Sequence, residues 1–346
     1  MSGGVDSSVA AALLVEQGHE VIGVTLKLWS GPNGEAPTAG CCTVSDAEDA
    51  RRVAATLDIP YYVLDYTEEF HEGVVDRFVG DYATGKTPNP CIECNRTVKF
   101  DRLLGRLAGF ECDILATGHH ARVVRGRHGW ELHRGADRAK DQSYVLSMLT
   151  QRELAQTRLP VGEMTKHRVR QIASDVGLRT ATKPESMEIC FVGQGDYRSF
   201  LRRTAPDAFH PGPLVDTAGN EVGRHDGIAG FTVGQRRRLG VAVGEPRYVV
   251  DIQPSTSSVV IGTREQLVVG SVELTQATTT NVVDGLDGRV TAQYRAHGDP
   301  VPGKVKGSTL TFDTPQRAVA PGQTLAFYQG DRVIGGALIA STHRPR

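Results

Sequence analysis

The reading of the fold turns on "SGGVDSSVAAALL", residues 2–14. Adjacent glycines let backbone N–H groups crowd around an anion, and a helix that starts at once adds its partial positive charge. Ser2, Ser7 and Ser8 add hydroxyl donors. Asp6 is the odd member, because a carboxylate beside phosphates repels them unless it meets Mg²⁺ or orients the loop. No Gly-Lys-Ser/Thr closes the turn, so it is not a Walker loop. On local pattern alone, a Gly/Ser turn that merely caps a surface helix fits equally well.

Outward from the turn, Val9, Ala12, Leu13 and Glu16 fall at helical spacing, and Gly18 is placed to stop the helix. "EVIGVTLKLW" (20–29) reads as a strand. "SDAEDARRVAATL" (45–57) reads as a helix with a capping box from Ser45 to Glu48. "YYVLDY" (61–66) is a strand; Phe70, Val74, Phe78 and Tyr82 form a helical stripe; "NRTVKFDRLLGRLA" (95–108) is a helix and "DILATG" (113–118) a strand. This alternation predicts an α/β domain with a parallel sheet covered on both faces. Near residue 190 the chain becomes rich in glycine and turns. From about Ser271 the segments "SVELTQATT", "GRVTAQYRA", "TLTFDTP", "TLAFYQG" and "RVIGGALIA" are spaced as strands of a small barrel. The expected domains are 1–196, 197–266 and 267–343.

The 346 residues suffice for two or three domains, and 39 % hydrophobic with 23 % charged residues describes a soluble globular chain. No apolar run nears the ~20 residues of a membrane span, and no signal peptide is visible, so a cytoplasmic protein is expected. The net charge of −1 counts against nucleic acid unless positive charge is local. Arg236, Arg237 and Arg238 are contiguous, Arg202 and Arg203 adjacent, and Arg122, Arg125, Arg127 and Arg134 line an expected hairpin. On charge alone each is a solvated face.

Six cysteines are too few for a disulfide scaffold of this length. Cys91 and Cys94 form a Cys-x-x-Cys just ahead of a helix. Three readings stay open: half a zinc site, a redox pair, or a nucleophile whose thiolate the helix N-terminus favours. Two buried small hydrophobes are the bland alternative, and the rigid polar turn of Pro88, Asn89 and Pro90 argues against it. Cys190, between Ile189 and Phe191, reads alone as core. Cys41 and Cys42 read as structural or accessory, and Cys112 as core.

The turn resembles the PP-loop of the ATP pyrophosphatases, which cleave ATP between the α and β phosphates. In that superfamily a buried strand precedes the turn, so either a start further upstream or a lost strand is expected. The ordered set "SGGVDSS", "CC" before a helix, "TPNPCIECNRTVKF", "ATGHHAR", "KDQSYVL", "KPESMEICF" and "GQRRRLG" resembles the bacterial tRNA 2-thiouridylases, from Ser2 to about Gly336. Those enzymes place sulfur on the wobble uridine of certain tRNAs.

The resemblance implies ATP, with Mg²⁺, held at Ser2, Gly3, Gly4, Val5, Asp6, Ser7 and Ser8, with Leu26 and Gly118 against the adenosine. It implies Cys94 as nucleophile and Cys190 as persulfide carrier, meeting as a disulfide after turnover. Asn89, Pro90 and Cys91 match the segment around the target base. His119, Lys140, Asp141, Gln142, Tyr294 and Gln323 match tRNA contacts. A sulfur donor protein, a cysteine desulfurase or a sulfur relay, is an implied partner alongside tRNA, and no membrane is involved. Many family members carry Asp where this chain has Cys91. A thiol with a free pKa near ~8.5 cannot act as that carboxyl with ~3.9. The change also makes a three-cysteine set, Cys91, Cys94 and Cys190, with the ligand chemistry of an iron–sulfur cluster. Two rival readings are a small-molecule amide synthetase and an RNA-binding protein with a vestigial turn.

Overall fold

A computed structural model describes residues 1–30, 43–184, 189–192, 196–241, 244–280 and 285–345. Cys41 and Cys42 lie outside the described residues.

The first part alternates as the sequence implies: α1 (Val5–Glu16), β1 (Gly23–Lys27), α2 (Val44–Thr56) and β2 (Tyr61–Asp65). Gly18 takes a left-handed φ of 80° just past α1 and donates its N–H to Val15 O. β1 and β2 pair in parallel, Gly23 opposite Tyr61 through Lys27 opposite Asp65. The expected capping box of α2 lies two residues earlier than Ser45. Thr43 is the N-cap and exchanges hydrogen bonds with Asp46, while Glu48 pairs with Arg51 and Arg52. Asp46 satisfies both the cap geometry and a lysine, Lys183, and so fixes the start.

α3 (Thr67–Phe70) and α4 (Asp76–Ala83) are joined by a π-helical stretch, His71–Val75. The stripe Phe70, Val74, Phe78 and Tyr82 is buried along this run. α5 (Pro90–Glu93) likewise continues as a π-helix over Cys94–Arg102 and a 3₁₀ turn over Leu104–Phe110. β3 (Leu115–Ala116) is short; β4 (Ala121–Arg125) and β5 (Trp130–Arg134) form the expected hairpin. α6 (Gln151–Ala155), β6 (Thr157–Arg158), α7 (Lys166–Asp175) and α8 (Tyr197–Thr204) follow. β6 pairs with β3 in parallel. Met1 lies alongside β1, its carbonyl accepting from Thr25 Oγ1 at 2.6 Å.

The central part folds as a four-stranded sheet of β7 (Gly212–Val215), β8 (Glu221–His225), β9 (Tyr248–Gln253) and β10 (Ser258–Gly262), in the order β8-β7-β10-β9. Leu214, Val249, Val259 and Ile261 build its core. The C-terminal part holds β11 (Val268–Thr279), β12 (Gly288–Gln293), β13 (Val301–Lys306), β14 (Thr309–Arg317), β15 (Thr324–Gln329) and β16 (Arg332–His343). They run β11-β14-β13-β12-β15-β16, and β16 returns to pair with β11, closing a six-stranded antiparallel barrel. Closure leaves no open edge inside the ring. The β4–β5 hairpin extends this sheet, with Val333 opposite Leu132. The barrel is thereby bonded to β5, the second strand of the hairpin that follows "ATGHH".

Candidate active site

Gly3 has φ 70°, and a β-carbon there would fall 2.2 Å from Asp46 O. Only glycine lets the turn adopt this conformation with the first turn of α2 pressed against it. Gly4 is the N-cap of α1 and offers no side-chain cap. The first amides of the helix therefore remain donors for an anion. Ser7 Oγ accepts from Ser2 N at 3.1 Å and lies 3.2 Å from Ser2 Oγ, bracing the loop. Ser8 is fully buried and its hydroxyl donates to Gly4 O at 2.8 Å.

Asp6 sits in the first turn of α1, and its carboxylate faces a lysine. Lys166 Nζ lies 2.8 Å from Oδ1 and 2.6 Å from Oδ2. His120 Nε2 is 3.1 Å from Oδ1. Burial works against ionisation of Asp6, but the hydrogen bonds from His120 and Lys166 outweigh it and hold the carboxyl below its usual range. Of the two roles open to Asp6, orienting the loop is the one its contacts fill. The turn's single carboxylate is thus committed and does not fit a role as Mg²⁺ ligand in this arrangement.

Gly118 is packed against the same turn: a β-carbon on it would fall 2.5 Å from Asp6 C and Ser7 N. The next residue, His119, bonds through Nδ1 to Thr117 Oγ1 at 2.8 Å. Burial, with repulsion from Lys99, pushes its pKa down to about 3, so the ring is neutral near pH 7.

In the cysteine segment, Asn89 is the N-cap of α5 and accepts from Cys91 N at 3.1 Å, with Pro90 at the first helical position. Cys91 is exposed, and Cys94 is buried at 7 % exposure. Cys94 belongs to a core cluster with Phe70, Val74, Phe78, Val98, Phe191 and Phe200, against which Leu26 and half-buried Cys190 pack. Phe191 anchors Cys190 there, its ring 5.1 Å from Phe200, 5.2 Å from Phe78 and 5.7 Å from Phe70. Cys94, Cys190 and Leu26, far apart in sequence, thus share one core. Among the described residues no three His, Cys, Asp or Glu side chains converge as a metal-holding group. With Cys91 exposed and Cys94 buried, the three thiols as arranged do not fit an iron–sulfur cluster.

The remaining residues with an implied role lie along the junction with the barrel. Asp141 Oδ2 accepts from Arg134 Nη1 at 2.7 Å and Ser143 Oγ at 2.9 Å, and Oδ1 from Gly135 N and Ser143 N. Its carboxylate is occupied inside the protein. Lys140 is half-buried; Gln142 is exposed, but its Oε1 accepts from His120 N at 2.9 Å. Tyr294 is half-buried and donates to Gln316 Oε1 at 3.3 Å. Gln323 Oε1 accepts from Ala320 N, closing the "PGQ" turn. Pro321 O of that turn accepts from Thr87 N at 2.8 Å, two residues before Asn89. Of the arginines, Arg134, Arg202 and Arg238 are paired with Asp141, Asp226 and Asp196. Arg203, Arg236 and Arg237 are exposed.

Sequence reasoning missed His120 and Lys166, which grip Asp6, and Glu93, whose buried carboxylate pairs with Arg77 at 2.9 Å and Arg96 at 2.7 Å. The unexplained carboxylate in the turn was the signal for the first pair, since it required a cation from elsewhere. Glu93 gave none beyond its place between the cysteines.

Residues 1–194 match the family model described as tRNA methyl transferase HUP domain. Residues 198–263 match the tRNA methyl transferase PRC-barrel domain, and 264–339 the aminomethyltransferase beta-barrel domain. Fold and turn together define a HUP-type nucleotide-site protein carrying two β domains. The tRNA-specific 2-thiouridylase MnmA of Lachnoclostridium phytofermentans is 47 % identical over 348 residues, covering 98 % of each chain. Its namesake in Roseiflexus sp. is 47 % identical over 367 residues, again covering 98 % of each. That of Moorella thermoacetica is 46 % identical over 357 residues, covering 99 % of this chain and 98 % of its own. The chain belongs to the tRNA-specific 2-thiouridylase family.

Proposed function

We propose that the protein is a tRNA-uridine 2-sulfurtransferase: it uses ATP to replace the 2-oxygen of a wobble uridine with sulfur. The 2-oxygen is a poor leaving group. Attack of that oxygen on the α-phosphorus expels pyrophosphate and leaves an adenylated uracil, whose AMP departs readily. The amides of residues 3–7 stabilise the charge on the phosphates, and Leu26 and Gly118 take the adenosine. Mg²⁺ enters with the triphosphate.

A persulfide on Cys190 then attacks C2 through its terminal sulfur, and AMP leaves. The Cys94 thiolate attacks Cys190 Sγ, the S–S bond to the transferred sulfur breaks, and the thiolated base departs with that electron pair. A Cys94–Cys190 disulfide remains, to be reduced by an external thiol. Asn89, Pro90 and Cys91 border the flipped base. His119, Lys140, Gln142, Tyr294 and Gln323 face the tRNA, Asp141 fixes their loop through Arg134, and exposed Arg236 and Arg237 steer the RNA. In this reading residues 1–196 carry the chemistry, while 197–266 and 267–343 contact RNA. The sulfur comes from a cysteine desulfurase or a relay protein, and the work is cytoplasmic. No helix among the described residues is long and apolar enough to cross a membrane.

The observation that carries the reading is the shared core of Cys94 and Cys190, beside Leu26. Methyl transfer, which the family models' descriptions mention, would leave both thiols without a task. Incubation with ATP, a tRNA transcript and persulfide donor tests it: 2-thiouridine with one AMP per sulfur supports it, and methylated or unchanged uridine refutes it.

A further inference from the structure

A nucleotide turn without its own lysine has to solve a charge problem, because Asp6 lies in the first turn of the helix whose N-terminus faces the anion. The structure supplies two groups from distant segments. Lys166 opens α7 and is 9 % exposed; His120 precedes β4 and is 2 % exposed. Both contact the Asp6 carboxylate, Lys166 on both oxygens.

Each is itself held. Asp137 Oδ2 accepts from Lys166 N at 2.9 Å. Gln142 Oε1 accepts from His120 N, and Gln142 N donates to His120 O, both at 2.9 Å. A largely buried ion pair with this many supporting bonds is a built arrangement, because breaking it leaves a charge with little access to water.

We infer that Lys166 and His120 are positioning residues for the nucleotide. Lys166 cancels the Asp6 charge, and the two residues together lock its side chain by hydrogen bonds, so that the turn presents its amides to the phosphates. This inference rests on the reading of residues 2–8 as an ATP turn, and adds which residues make it usable.

The test is binding of the non-hydrolysable analogue α,β-methylene-ATP, by calorimetry, to the full chain. Lys166→Met should weaken binding by at least about tenfold, since it leaves Asp6 uncompensated beside the phosphates. The double variant Asp6→Asn with Lys166→Met removes both charges and should return the affinity to within about threefold of wild type. Thermal melting confirms that each variant is folded. Unchanged affinity in folded Lys166→Met, or no recovery in the folded double variant, overturns the inference while leaving the ATP reading intact. Absence of binding by the wild type overturns both.

Discussion

Gly118 and Asp6 touch through backbone alone: a single added carbon on Gly118 would lie 2.5 Å from the carbonyl carbon of Asp6. The segment just past β3 and the turn that opens α1 are therefore in contact where the chain must present amides to an anion. Gly118→Ala must displace the turn, and overpacking of this kind costs about 1–3 kcal/mol. Nucleotide affinity is expected to fall by at least about tenfold, the equivalent of ~1.4 kcal/mol, with a lower melting temperature. Calorimetric titration with α,β-methylene-ATP checks it; wild-type affinity in the variant would refute the tight packing.

Phe191 holds Cys190 in the core that contains Cys94. Phe191→Ala removes a ring with four aromatic neighbours, Trp29, Phe70, Phe78 and Phe200. The loss is expected to be about 3–5 kcal/mol. After one turnover without reductant, mass spectrometry of the wild type should find a Cys94–Cys190 peptide pair. The variant should form far less of it, at a temperature where it remains folded. Equal yields would mean that Phe191 does not set the position of Cys190.

Asp141 and Arg134 form a buried pair between the 137–142 loop and the hairpin joined to the barrel, with side chains 6 % and 13 % exposed. Arg134 also lies over the Tyr328 ring of β15 at 3.8 Å and donates to Gln293. Removing one member leaves the other charge buried, so Asp141→Ala should destabilise by about 3–5 kcal/mol. Chemical denaturation measures this. A change below ~1 kcal/mol, the range of a surface pair, would place the role of Asp141 outside the fold.

His119 gives a pH dependence with a definite sign. Its folded value is pushed down to about 3 from an ordinary 6.5, chiefly by burial. Below 6.5 the unfolded chain takes up a proton that the folded ring refuses. The stability contributed by the neutral ring is complete above pH 6.5 and drains away as pH falls toward 3. His119→Asn should flatten denaturant stability across that window relative to wild type. An unchanged slope would show that the ring titrates normally.

Much of this was legible in the residues. The Gly/Ser turn ahead of α1 and the strand segments after Ser271 each carry their structure locally, whereas the helix expected from Asn95 starts at Pro90, because Asn89 caps it, and takes in both cysteines. What the sequence did not carry was long-range. Nothing near Asp6 names Lys166, 160 residues away, because an ion pair leaves no periodicity. The two-residue shift of the α2 cap arose because Asp46 answers to Thr43 and Lys183 together. Three cysteines in the sequence do not tell which are buried: the fold exposes Cys91 and buries Cys94. The hairpin arginines read on charge alone as a solvated face, yet Arg134 is buried by a carboxylate seven residues on and a tyrosine of the barrel.

Sulfur transfer itself gives the most direct test. A tRNA transcript with a wobble uridine is incubated with ATP, cysteine and a cysteine desulfurase, and its nucleosides are analysed by mass spectrometry. Wild type is expected to yield 2-thiouridine with stoichiometric AMP, and Cys94→Ala and Cys190→Ala to yield none. Thiolation at the wild-type rate by either variant, or its absence in the wild type, would contradict the account.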